Sequence, residues 1–196
     1  MPEAKVIAIT GASRGIGSGL VAELAGRGNT IGCLSRKGQG PEDRDVSGRL
    51  INLVCDMEDE AQIASALKSL AEQAGRIDVL INNAGMHQEC VSSELAKAEF
   101  EQTLTANITG PFVACREVYP HMISNGGGVI INIGSFYDRL GIQRNLAVLG
   151  ELAGECFGHL AEVIGTREKP VNLLGQPFNQ DGGVSIPCGT FFNVEL

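Results

Sequence analysis

The residues best suited to chemistry in this chain are the glycines of Thr10-Gly11-Ala12-Ser13-Arg14-Gly15-Ile16-Gly17, because their spacing builds an anion site. They follow the apolar run Val6-Ile7-Ala8-Ile9 and open Ser18-Gly19-Leu20-Val21-Ala22-Glu23-Leu24-Ala25, which reads as a helix. A buried strand that turns sharply into a helix leaves the first helical N–H groups and the positive dipole end at the turn. Glycine there lets the backbone approach a pyrophosphate closely and lets helix and strand pack tightly. The alternative is a purely structural turn, and the nearby Gly26-Arg27-Gly28 reads as no more than a helix stop. The strand–turn–helix context is what favours the anion.

Other chemistries find less support. His87, His121 and His159 have no carboxylate or cysteine cluster at ligand spacing, so no metal site is expected. His87 reads as a solvated loop residue at the edge of a pocket. The six cysteines, Cys33, Cys55, Cys90, Cys115, Cys156 and Cys188, show no C-x-x-C spacing. They read as small core residues of a reduced compartment, and nothing argues for reactivity at Cys188. The net charge of −8, with no basic cluster, argues against nucleic acid or an anionic membrane surface as partner. Met1-Pro2-Glu3-Ala4-Lys5 is not a signal peptide, and no apolar run nears membrane-spanning length. A soluble, cytoplasmic protein is the expectation.

The elements that must position the turn follow in order. The 196 residues suffice for one α/β domain over 1–196, and the 26 glycines are spread across turns. Apolar strands are expected at Thr30–Leu34, Leu50–Asp56, Ile77–Asn82 and Val129–Ile133. Between them, Glu58 to Ala74 carries Ile63, Leu67 and Leu70 at the spacing of one helix face. A long helix is expected from about Ser93 to Ser124, kinked or divided at Pro111. Alternating strands and helices with continuously apolar strands imply a doubly wound parallel sheet covered on both faces. Right-handed crossovers then place the ligand crevice beyond the strands' C-terminal ends, where Asp56, Asn83, Gly85 and Ser135 fall.

Four motifs in this order resemble the short-chain dehydrogenase/reductase family. They are T-G-x-x-x-G-x-G at Thr10 to Gly17, Asn82-Asn83-Ala84-Gly85, Asn107, and Ser135 after Val129-Ile130-Ile131-Asn132-Ile133. The match runs in register to about Leu146. The resemblance implies a Rossmann-type, three-layer α/β/α fold and NAD(P)-linked hydride transfer to or from a small carbonyl or alcohol. It also implies a homo-oligomer, dimer or tetramer. The cofactor would lie along Gly11, Ser13, Arg14, Gly15, Ile16 and Gly17, with Asp56 and Met57 at the adenine and Asn83, Ala84 and Gly85 at the ribose. NAD-preferring relatives carry an acid at the end of the second strand, where this chain has Ser35 and Arg36. With Arg14 in the glycine turn, two guanidinium groups suit a 2′-phosphate, so NADP(H) is expected over NAD(H). The alternative is two solvated surface arginines.

The resemblance then breaks. In the family a Ser orients the substrate oxygen, an Asn in a preceding helix holds a relay water, and a Tyr moves the proton. A Lys four residues after the Tyr lowers its pKa, since a phenol near pKa ~10 is a poor acid–base group at neutral pH. Ser135 and Asn107 match, but neither Tyr119 nor Tyr137 has Lys four residues on; Ile123 and Gly141 stand there. The family interval from Ser135 lands on Val148 and Leu152. Tyr137 reads as a pocket-wall or packing residue. Two alignments remain open. In one, Leu146 to Ile164 is the active-site helix with Tyr and Lys replaced. In the other, the chain jumps at about Ala147/Val148, so that Glu155–Ile164 resembles the last helix and Gly175–Gly183 the final strand and Gly-Gly turn. The jump accounts for both the C-terminal match and a length about 50 residues short of the roughly 250 usual for such single domains. Two functions follow: an NADP(H)-dependent oxidoreductase, or an inactive remnant that binds nucleotide or a partner subunit.

Overall fold

The computed structural model describes residues 3–87, 90, 93–134 and 191–195. Its strands are β1 (Val6–Thr10), β2 (Thr30–Ser35), β3 (Arg49–Val54), β4 (Val79–Asn82), β5 (Val129–Ile133) and β6 (Phe191–Glu195). They form one sheet in the order β3-β2-β1-β4-β5-β6. The first five are parallel, as expected; Ile7 sits beside Ile31 of β2 on one side and Val79 of β4 on the other. The sixth, not foreseen, runs antiparallel to β5, from Val129 opposite Glu195 to Ile133 opposite Phe191. An antiparallel edge strand on a parallel sheet is a common variation, since antiparallel pairing requires no crossover connection.

The helices are α1 (Gly15–Gly26), α2 (Glu60–Ala74), α3 (Lys97–Leu104) and α4 (Gly110–Ser124). Successive side chains of a strand point to opposite faces, so each strand serves two cores. Val6 and Ala8 join Leu80 and Ile130 beneath α2 and α4, where Ile63, Leu67, Leu70, Val113, Val118 and Met122 are buried. Ile7 and Ile9 join Ile31, Ile81 and Ile131 beneath α1, where Val21 and Ala25 are buried. The α2 face is the one its periodicity predicts. At the sheet's opposite end, the buried Asp78 accepts from Val6 N at 2.8 Å and from Arg76 Nε at 2.8 Å, tying β1 to β4.

The expected long helix is corrected. Residues 93–96 are not helical, and between α3 and α4 lies a π-helical turn, Thr105–Thr109, closed by Gly110 N donating to Thr105 O. Pro111 has no N–H, so the α-helical bond from residue 111 to the Asn107 carbonyl cannot form, and the chain widens one turn before the proline. No helix among the described residues is long and apolar enough to cross a membrane. Ser135, Tyr137, the Ala147/Val148 junction, Val148, Leu152, His159 and the segments Leu146–Ile164 and Gly175–Gly183 lie outside the described residues, as do Cys156 and Cys188.

Candidate functional site

The strand order reverses between β1 and β4, and there the loops leaving the two strands part to open a crevice. A pocket of about 700 Å³ occupies it. Gly11, Ser13, Arg14, Gly15, Ile16, Gly17, Ser35, Arg36, Asp56, Met57, Asn83, Ala84 and Gly85 all line this one pocket, so four separate sequence segments meet in space. Asn107 stands behind the lining, and His87, read as a solvated loop residue, is exposed on it.

The start of α1 faces this pocket without a cap of its own. Its N-cap residue, Arg14, makes no side-chain capping bond, and Ser18 N is bonded to Arg14 O, so the N–H groups of Gly15, Ile16 and Gly17 lie ahead of the ladder. Helix α2 shows the contrast, because Asp59 there accepts from Ala61 N and Gln62 N. An uncapped N-terminus opening onto a pocket suits a pyrophosphate, which satisfies the same donors. The turn fits tightly enough to demand glycine: a Cβ on Gly17 would overlap the Gly11 carbonyl oxygen and crowd Asn83 Nδ2.

Asn83 and Thr10 brace the turn. Asn83 Nδ2 donates to Thr10 O at 2.9 Å and Gly11 O at 3.3 Å. The Thr10 hydroxyl accepts from Asn83 N and Ala84 N, both at 3.0 Å. Thr10 is thus a positioning residue missing from the sequence-based assignment, although it heads the motif that signalled the site.

At the other wall, Ser35 is buried and spends its hydroxyl on the following turn, donating to Gln39 O at 2.7 Å and accepting from Gln39 N at 2.9 Å. Arg14 and Arg36 are exposed, and neither guanidinium has a hydrogen-bond or ion-pair partner among the described residues. Three further charged residues, Lys37, Glu42 and Glu58, line the same pocket and were missed by the sequence reading. Lys37 adjoins Arg36 and could have been included; Glu42 could not, since only the path of a long loop brings it back. Asp56 accepts from Glu58 N at 3.1 Å, which turns the chain toward α2.

The buried thiols, Cys55 of the pocket lining among them, are held in their neutral form. Burial pushes Cys33 up to about 11, and burial, with Asp56 and Asp59 nearby, pushes Cys55 up to about 12. Burial likewise raises Cys115 to about 12, against a hydrogen bond from Asn82. Thiols held so far above neutral pH carry no thiolate and behave as small apolar core groups.

The chain matches the short chain dehydrogenase family over residues 5–146. It is 31% identical over 150 residues to D-threitol dehydrogenase of Mycolicibacterium smegmatis, a match covering 74% of this chain and 58% of that relative. The chain spans little more than half the length of several such curated relatives. A metagenomic short-chain oxidoreductase solved in complex with NADP superposes with a TM-score of 0.74 at 26% identity, over 82% of this chain and 75% of that one. An NADH-dependent reductase complexed with NAD superposes with a TM-score of 0.71 at 23% identity, over 82% and 73%, a likeness of fold.

Proposed function

This chain belongs to the short-chain dehydrogenase/reductase family, and we propose that it binds NADP(H) in preference to NAD(H) and serves hydride transfer between that cofactor and a small carbonyl or alcohol. The observation that carries the preference is the pair of guanidinium groups, Arg14 and Arg36, that line the same pocket as the glycine turn and have no partner among the described residues. Arginine makes forked, charge-assisted bonds to phosphate oxygens, which an unphosphorylated ribose cannot return. The uncapped start of α1 would hold the pyrophosphate, and Asp56 and Met57 would border the adenine. Asn83, Ala84 and Gly85 would line the ribose. When bound, the nicotinamide supplies or accepts the hydride. Ser135 is assigned the substrate oxygen, and Asn107 the relay toward solvent, by family membership. The same membership suggests a cytoplasmic homo-oligomer.

A second reading has its own support. The proton that accompanies hydride transfer needs a tuned acid–base group, and no Tyr in this sequence has Lys four residues later. Binding without ordinary turnover, as a nucleotide-holding or partner-binding subunit, follows from that gap.

Titration with NADPH and NADH, followed by the fluorescence of the reduced nicotinamide, tests the binding. Each charge-assisted contact is worth roughly 1.5–3 kcal/mol, so NADPH should bind at least about tenfold tighter, and Arg36→Ala should narrow the gap. Equal affinity for the two would overturn the preference. Loss of NADPH absorbance with simple ketones then decides between the readings: turnover supports the oxidoreductase, and tight binding without it supports the binding subunit.

A further inference from the structure

We propose that Glu42 is a specificity-determining residue of this pocket: its carboxylate competes with a cofactor 2′-phosphate for Lys37 and weakens NADP(H) binding. The inference rests on the reading that a phosphate is taken between Arg14 and Arg36. The connection from β2 to β3 forms no helix and instead folds back over the glycine turn. There Glu42 N donates to Ser13 O at 2.8 Å, which fixes the Glu42 main chain beside the residue preceding Arg14. Its Oε1 lies 3.8 Å from Lys37 Nζ, and both residues line the pocket with the two arginines.

The charges on this wall are not equivalent. Arg14 and Arg36 have no partner among the described residues, whereas Lys37 already has a carboxylate partner. The neighbouring acid, Asp43, is taken up by Arg44 at 2.9 Å and is not part of the lining. The Lys37–Glu42 pair is long and exposed, so it adds little to the fold. A phosphate monoester near neutral pH carries between one and two charges. Such an anion entering the wall must draw Lys37 away from Glu42, or else sit close to a like charge. An unphosphorylated ribose meets neither obstacle. Glu42 therefore lowers the affinity for one cofactor and leaves the other nearly alone.

Glu42→Gln keeps the N–H that bonds Ser13 and removes only the charge. Its NADPH dissociation constant should fall about three- to tenfold, the range for deleting one exposed like charge near a phosphate at moderate salt. NADH affinity should hold within about twofold, and the gain should shrink in 1 M salt, where the screening length is about 3 Å. Unchanged NADPH affinity would overturn the inference. So would weakened NADH binding with NADPH unaltered, because Glu42 would then be accepting from ribose hydroxyls. Asp43→Asn is the control, and a gain there as large as at Glu42 would mean that net charge, not a placed carboxylate, is responsible. Failure of the unaltered protein to bind either cofactor would overturn the functional reading and this inference together. NADPH binding that ignores Glu42→Gln sinks this inference alone.

Discussion

Asn107 and Met86 hold each other at two points: Met86 N donates to Asn107 Oδ1 at 2.8 Å, and Asn107 Nδ2 donates to Met86 O at 2.9 Å. Both ends of the amide are used, so the side chain is a strut between the π-helical turn and the loop leaving β4. That loop carries Asn83, Ala84 and Gly85 into the pocket wall. Its main-chain carbonyl is a further acceptor, because Pro111 denies it the ordinary helical donor.

Asn107→Asp should therefore act on the pocket's shape. It keeps the acceptor for Met86 N but turns the second contact into two oxygens facing each other. A buried or half-buried carbonyl left without its donor costs about 1–3 kcal/mol. The melting temperature should drop by several degrees, and NADPH and NADH should weaken together. A melt identical to the unaltered protein, with cofactor affinity intact, would show that the strut is dispensable.

Thr10 offers a cleaner separation of hydroxyl from shape. Thr10→Val is nearly isosteric but removes the acceptor for Asn83 N and Ala84 N, leaving two donors in a water-poor site. The expected loss is about 1–3 kcal/mol per orphaned group, read in a chemical denaturation curve. Thr10→Ser should recover most of it. If Val and Ser variants unfold alike, the hydroxyl is not what holds the loop.

How much of this was legible beforehand depends on how local the cause is. The α2 face could be read because Ile63, Leu67 and Leu70 obey one period. The glycine turn could be read because strand, turn and helix are contiguous. The helix was expected to kink or divide at Pro111, and it does divide, but the π-helical turn was not foreseen: its cause, a missing N–H, stands in the sequence, while the widening falls upstream of the proline. Glu42 was illegible, because its bond to Ser13 depends on the course of a long loop with no periodic pattern. The direction of β6 was likewise hidden, since side-chain types that favour a strand do not say which way an edge strand runs.

Asp59 predicts a pH dependence of stability. Hydrogen bonds from Gln62 N, the Gln62 side chain and Ala61 N hold its carboxyl below the ordinary aspartate value. A group depressed in the folded state contributes stability above its unfolded pKa and loses it as pH falls through the folded value. Asp59→Ala should thus melt lower than the unaltered protein at neutral pH, and the two curves should converge in acid. A gap that stays constant from neutral pH down to about pH 2 would mean the cap acts through shape, not through its charge.

Gly110 links the fold to the pocket most directly, and it supplies the sharpest test. It starts α4 against the chain leaving β3, where a Cβ would overlap the Met57 carbonyl oxygen and stand 3.0 Å from Met57 Cβ and 3.1 Å from Met57 C. Backbone atoms cannot swing aside as a flexible side chain does, so Gly110→Ala must push α4 and the Met57 segment apart. Overpacking of this kind costs about 1–3 kcal/mol. Because Met57, which the new Cβ meets directly, lines the pocket beside Asp56, cofactor binding should weaken as well. Arg14 and Arg36 are untouched, so NADPH and NADH should weaken by similar factors and their ratio should hold. Gly26→Ala is the matched control: a Cβ there meets nothing within 4 Å, and its place at the end of α1 favours Ala over Gly. It should melt at or slightly above the unaltered protein. If Gly110→Ala behaves like Gly26→Ala, the contact between α4 and Met57 does not hold the pocket wall in place.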